Sequence, residues 1–315
     1  QILYILEEAP SNRRATIYSL IKGLGGLSAI FIPMMRATMM HNDPTQWRNV
    51  YMLPGFGGLA VVLLVFFFAK DTRVYVDKRV EELSVPYETR LEKREAEKAA
   101  GKSTHKTGVI PALKYIFRHK ELRTLILIKL LFDAAIIAMT NFESIMYKAG
   151  MKTGEITTAE YFYPFIYCVS VMLSGVLADH IGRKKTIVIF GGICAVSFIG
   201  FIISTNRLWS PYMVGILYGL YLGGYWIGRD YMEIISTEMV PTKIRASIIG
   251  AESLLVYGGM AIGFVFVNVG ILFMPIWLTC LIFAVPCVAV STVLLFLKVK
   301  ETKGIDYESI SDADV

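Results

Sequence analysis

Two long apolar runs of the sequence stand out for the ionisable side chains they carry. Lys129 and Asp133 share one run, and Arg229, Asp230 and Glu233 crowd another. An ion held in hydrocarbon is costly unless it is paired or hydrated, so such residues are candidates for function by default. The chemistry they offer is not bond breaking. A buried carboxylate beside an arginine can alternate between a protonated and a paired state as its surroundings change, which ties proton binding to the binding of another solute. Helical rise places Asp133 about 15 Å beyond Arg123, and Arg229 about 13–14 Å beyond Glu238, so the two groups can meet at similar height. A plainer arrangement is also open. Lys129 with Asp133, and Arg229 with Glu233, each at i,i+4, can neutralise one another along their own helices. Asp230 is then left over, turned roughly 100° from Arg229, with Trp226 one turn away. Asp133, Trp226, Arg229, Asp230 and Glu233 are therefore candidate substrate- and proton-binding residues.

Such residues need helices that cross a bilayer. The chain has 315 residues, 55% of them hydrophobic, above the 45–50% usual for a soluble domain. Eight apolar runs are long enough for a span of roughly 20 helical residues: about 16–37, 48–69, 123–147, 159–179, 185–205, 210–236, 247–270 and 275–297. Residues 1–6 read as the tail of an earlier span. The loops set the orientation. Lys and Arg number twenty-four in the loops and tails on one side, fourteen of them in residues 70–123, against Arg48, Lys148, Lys152 and Arg207 on the other. By the positive-inside rule the rich side is cytoplasmic, and both ends of this chain face it. The net charge of +6 thus reads as membrane topology rather than nucleic-acid binding.

The four cysteines lie inside apolar runs without metal-ligand spacing and read as packing residues. No nucleophile–base set, metal cluster or phosphate loop is visible, so neither an enzyme nor a bound cofactor or metal is expected. Tyr218, Tyr221 and Tyr225, with Trp226, form either core or a stacking wall for a ring or organic ion. Gly215, Gly219 and Gly223, and Gly259 with Gly263, recur at four-residue spacing that lets helices approach closely. Glu252 and Lys22, near the starts of their helices, are placed to face a cavity mouth. Residues 86–101 form a charged connector, and 109–122 suit a helix lying in the membrane interface.

Two loop motifs carry a resemblance. Gly175-Val-Leu-Ala-Asp179-His-Ile-Gly182-Arg183-Lys184-Lys185 joins two spans with two glycines, an acid and a run of bases. Glu7-x-x-Pro10-x-x-x-Arg14-Ala15-Thr16 recurs 231 residues later as Glu238-x-x-Pro241-x-x-x-Arg245-Ala246-Ser247. Parallel repeats of this kind mark carriers built from two similar halves. The first motif resembles the loop signature of the major facilitator superfamily, and the second its Glu-x-x-Pro-x-x-x-Arg loops, found especially in the sugar-porter and metabolite-symporter branches. Asp71-Thr72-Arg73-Val74-Tyr75 and Lys300-Glu301-Thr302-Lys303-Gly304 are similar to further sugar-porter runs, each without its proline.

The resemblance implies an all-α membrane protein of the major facilitator fold. The eight spans become helices five to twelve of twelve, and the first four are missing. Residues 1–70 then complete the N-terminal half, 71–122 form a cytoplasmic linker, 123–297 the C-terminal six-helix half and 298–315 a cytoplasmic tail. Helices seven and ten line the central cavity in that family. Gly175, Asp179, Gly182, Arg183, Lys184, Glu238 and Arg245, with Glu7 and Arg14, look like the network that locks the inner gate. Asn141, with Glu143 and Tyr147, echoes residues of sugar porters and joins the substrate-binding candidates. The Gln-Gln pair of those porters is absent, and Arg229 turns the substrate towards a carboxylate or phosphate. The implied activity is alternating-access transport of a small polar metabolite, a sugar or organic acid, with protons, by a monomer in the plasma membrane. A drug or organic-ion exporter, or a non-transporting solute sensor of the same fold, is the alternative.

Overall fold

The computed structural model describes residues 9–10, 13–39, 47–70, 73–92, 108–240 and 244–303, and among these every regular element is a helix. Glu7 and Pro241 of the repeated loop, Asp71 and Thr72, and Gly304 lie outside the described residues. The helices are α1 (Arg14–Gly26), continued through a tighter turn at Leu27–Ile30 into α2 (Phe31–Met39), then α3 (Trp47–Phe68) and α4 (Arg73–Ser84). They continue with α5 (Val109–Arg118), α6 (Lys120–Asp133), α7 (Ile136–Thr140), α8 (Phe142–Lys148), α9 (Thr153–Ile181), α10 (Arg183–Asn206), α11 (Pro211–Glu238), α12 (Arg245–Gly270) and α13 (Ile276–Lys298).

Among the described residues, five stretches are long and apolar enough to cross a membrane: Arg14–Met35, Thr153–Ile181, Arg183–Asn206, Arg245–Gly270 and Ile276–Lys298. α11 has 28 residues and is kept out of that set by composition rather than length. It carries five glycines and five tyrosines, and most of its side chains are buried. A helix covered on most sides belongs at the centre of a bundle. α11 packs most heavily on α9 and α10, while α9 also receives α1. Its glycines allow that approach: a Cβ at Gly215 would stand 2.7 Å from the Ala159 carbonyl, and one at Gly219 2.7 Å from that of Tyr163.

The run 123–147, read above as one span, is three helices. The ladder slips to i→i−3 at the first break, where Ala135 N–H donates to Phe132 (3.1 Å) and Ala138 N–H to Ala135 (3.2 Å). No proline or glycine causes it. A break at membrane depth is tolerated where neighbours satisfy the freed carbonyls. Here Tyr221 donates to the Ala135 carbonyl and Tyr218 to that of Met139, each at 3.2 Å. The two tyrosines, with Tyr225, are buried among aromatics and helix backbone. They are core, and the stacking wall is corrected at those three positions.

α9 ends at Gly182, whose φ of +102° is open to glycine at little cost. At its other end Glu155 reaches back to accept from Lys152 N–H at 2.7 Å, covering one of the unpaired donors that every helix start leaves.

Candidate functional site

The charged residues of the apolar runs come together where α1, α6, α11 and α12 meet. α11 supplies Trp226, Arg229, Asp230 and Glu233 within about two turns, so its side chains fan towards different neighbours. Arg229 Nε lies 3.4 Å from Asp133 Oδ1 on α6. Tyr225 donates to that same oxygen at 3.0 Å. Asp133 Oδ2 is buried without a hydrogen-bond partner among the described residues. Asp230 points the other way and pairs with Lys22 of α1. Between them lies Trp226, with Lys22 Nζ 4.4 Å and Arg229 Cζ 5.0 Å from its ring centroid. Cations over an indole face are held by its quadrupole, an effect that grows as water is excluded.

A second group adjoins the first. Lys129 of α6 is buried and donates to Glu252 of α12 at 2.6 Å and to Glu233 of α11 at 3.2 Å. Ser236 donates to the other oxygen of Glu252 at 2.6 Å. Thus neither i,i+4 pairing within one helix is the arrangement formed. Lys129 bonds to Glu252 and Glu233 rather than Asp133, and Arg229 reaches Asp133 rather than Glu233. Intrahelical pairs of exposed type are worth only a few tenths of a kcal/mol, so interhelical partners in a drier setting displace them readily.

Asn141 lies two turns further along the broken helix, at the junction of α7 and α8, with Thr140 Oγ1 at 3.4 Å. It is therefore set apart from the Asp133–Arg229 pair. Close by in sequence, a cavity of about 370 Å³ is lined by Glu143, Ser144, Tyr147, Lys148, Thr153 and Ile156.

A separate network occupies the end of the bundle where α9 gives way to α10. Asp179 accepts from the Thr16 N–H at 2.9 Å and its hydroxyl at 2.7 Å, capping the start of α1. Arg183 stands between two acids, 3.9 Å from Asp179 and 3.5 Å from Glu238. Thr302 donates to Glu238, and Arg14 is near enough to act on it electrostatically. Arg245 donates to the carbonyls of Thr237 (3.1 Å) and Val240 (3.2 Å), closing the end of α11. Lys184 is a correction to the ion network: its ammonium lies over the Phe296 ring, 5.2 Å from the centroid. Only its backbone joins in, donating to Glu301.

Glu301 belongs to the tail motif Lys300-Glu301-Thr302-Lys303-Gly304. It accepts from the Arg183 N–H (2.9 Å) and the Lys184 N–H (3.1 Å), so the tail caps the first turn of α10. A carboxylate there meets both the unpaired donors and the positive end of the helix. Thr16, Lys22 and Thr302 likewise gain partners that spacing alone did not announce.

Comparison with known proteins bears on the family. A sequence profile of the Major Facilitator Superfamily matches residues 2–264. The alpha-ketoglutarate permease of Escherichia coli (strain K12) is 28% identical over 119 residues, which cover 36% of this chain and 26% of that relative. The alignment thus spans about a quarter of the relative's length.

Proposed function

Because this chain belongs to the major facilitator superfamily, we propose that it forms the larger part of a proton-coupled secondary carrier for a small organic anion. The observation that supports this best is the pair of cations on Trp226, each tied to its own carboxylate: Lys22 to Asp230 and Arg229 to Asp133. An anion entering here offers both cations a replacement partner, and the released carboxylates then favour protons. Exchange of partners is what lets one solute's binding depend on another's. The name of the permease relative fits an anionic substrate, whereas the missing Gln-Gln pair weighs against a sugar.

The same reading takes the spans as helices five to twelve, the basic loops as cytoplasmic and the membrane as the plasma membrane. Asp179, Arg183 and Glu238 then form the inner gate. With the gate bonds made, the cavity faces outward, and the carrier alternates by rocking its halves. The test uses the intact protein in proteoliposomes that hold a pH-sensitive dye. α-Ketoglutarate, other carboxylates, sugar acids, sugars and organic cations are added singly. Proton entry with a carboxylate is expected, and proton entry with a neutral sugar alone would reverse the substrate class. Binding without any proton movement would turn the reading to a facilitator or a sensor.

A further inference from the structure

The corner where α5 turns into α6 carries positive charge that no acid of the described residues answers. α5 has 10 residues, a length of about 15 Å, and one face of it is spent on the bundle. There Ala112 and Ile116 are buried with Leu122 and Ile126 of α6, with Val240, and with Ile248 and Ala251 of α12. The next face round the helix holds Ile110 and Phe117, which the helical step brings nearly into line. They are 69% and 51% exposed. Beyond them stand Lys114 and Arg118, both exposed.

Arg118 gains from the negative end of α5, but two bases at i,i+4 repel one another. Lys120 and Arg123 add two more in the first turn of α6, the end of a helix that favours acids. Arg123 turns back to donate to the Phe117 carbonyl at 2.9 Å, which holds its guanidinium at the end of α5. The acid of that turn, Glu121, is engaged with Lys300 at 2.5 Å. Among the described residues, no carboxylate pairs with Lys114, Arg118, Lys120 or Arg123. Four cations gathered without an acid call for an anion from outside the chain.

The order of the faces identifies it. Passing round α5 from the buried seam, exposed apolar side chains come first and bases second. Acyl chains and headgroup phosphates follow one another in the same order at a bilayer surface. A protein partner suits the corner less well, because a stable interface takes about 800 Å² from each side, more than the open half of so short a helix offers. Anionic lipid has no such requirement, and each Lys or Arg near it strengthens the attraction about fivefold.

We propose that the α5–α6 corner is a binding site for an anionic phospholipid, with Ile110 and Phe117 among its acyl chains and Lys114 and Arg118 on its phosphate. Lys120 and Arg123 add to the attraction, and the lipid tethers the last helix before the C-terminal spans to the bilayer. This rests on membership of a membrane family and not on transport, so it stands or falls apart from the carrier reading.

The test is native mass spectrometry of the purified intact protein, titrated in detergent with phosphatidylglycerol and, separately, with phosphatidylcholine. Wild-type protein is expected to retain phosphatidylglycerol in preference. Lys114→Gln combined with Arg118→Gln is expected to weaken that binding about fivefold for each base removed, with phosphatidylcholine binding unchanged. Lys114→Gln alone, with a single fivefold loss expected, serves if the double variant does not fold. Lys70→Gln combined with Lys298→Gln removes the same charge from exposed positions on other helix ends and is expected to keep the preference. Equal retention of the two lipids by wild-type protein overturns the site. An equal loss in both double variants also overturns it, because net charge alone would then be read. A doubled protein mass that disappears with Lys114→Gln and Arg118→Gln would give the face to a second copy of the chain instead.

Discussion

Asp133 receives a guanidinium and a phenol on one oxygen, while its second oxygen is buried and unbonded among the described residues. A carboxylate so placed is ready to gain a partner or a proton. Replacing it by Asn keeps the shape but removes the carboxylate that a departing Arg229 would leave open to a proton. Asp133→Asn is therefore expected to lose proton-driven accumulation in proteoliposomes while keeping solute exchange. Full accumulation in that variant would count against the coupling scheme. The Asp133–Arg229 contact was legible in the sequence, because helical rise alone puts two residues at one height when both helices start from known loops. The partners of Lys22 and Lys129 were not. Height says nothing of rotation about the helix axis, and it is rotation that turns Lys129 to α12 and Lys22 across to Asp230.

At the scale of elements, the run from 120 to 148 has no residue that announces its breaks. Without proline or glycine, hydropathy reads it as one helix. The signal lay instead on α11, where Tyr218 and Tyr221 stand three residues apart with hydroxyls that a purely apolar core would not need. Tyr221→Phe leaves the Ala135 carbonyl without that donor, and a loss of about 1 kcal/mol is expected, read as a lower midpoint of thermal unfolding in detergent. Gly175 is a second case, and here the loop motif pointed to the right residue without giving the reason. A Cβ at that position would fall 1.7 Å from Ser19 Oγ and 2.7 Å from the Ala15 carbonyl. A side-chain hydroxyl can turn away, but the backbone of α1 cannot. Gly175→Ala is expected to cost about 1–3 kcal/mol through overpacking, and an unchanged midpoint would show that α1 and α9 are looser than drawn.

For the whole molecule, α1 is held to the remainder at two heights, by Thr16 on Asp179 and by Lys22 on Asp230. Under the rocking mechanism both must open in each cycle, and they lie on the same helix, so loosening one biases the other. Glu238 helps to hold the lower point through Arg183 and Thr302. Glu238→Gln is expected to shift the population towards the inward-open form, measured as faster labelling of a cysteine introduced at the inner mouth. Labelling at the wild-type rate would remove Glu238 from the gate. The motif offsets pointed to Asp179, Arg183 and Glu238, which the fold brings together, but not to Glu301 as the cap of α10, since its place depends on where the chain returns after α13.

Trp226 gives the molecule a reporter of its own. The chain has four tryptophans, and among the described residues this one has an ammonium and a guanidinium over its ring. Indole emission responds to charges near its face, so any solute that draws Lys22 or Arg229 aside changes the colour or yield of the light. Titration of unlabelled protein with a bound anion should then shift its fluorescence, and Trp226→Phe should abolish the shift while leaving the other three emitters in place. Binding of an anion at this ring can then be followed without a dye or a radioactive tracer.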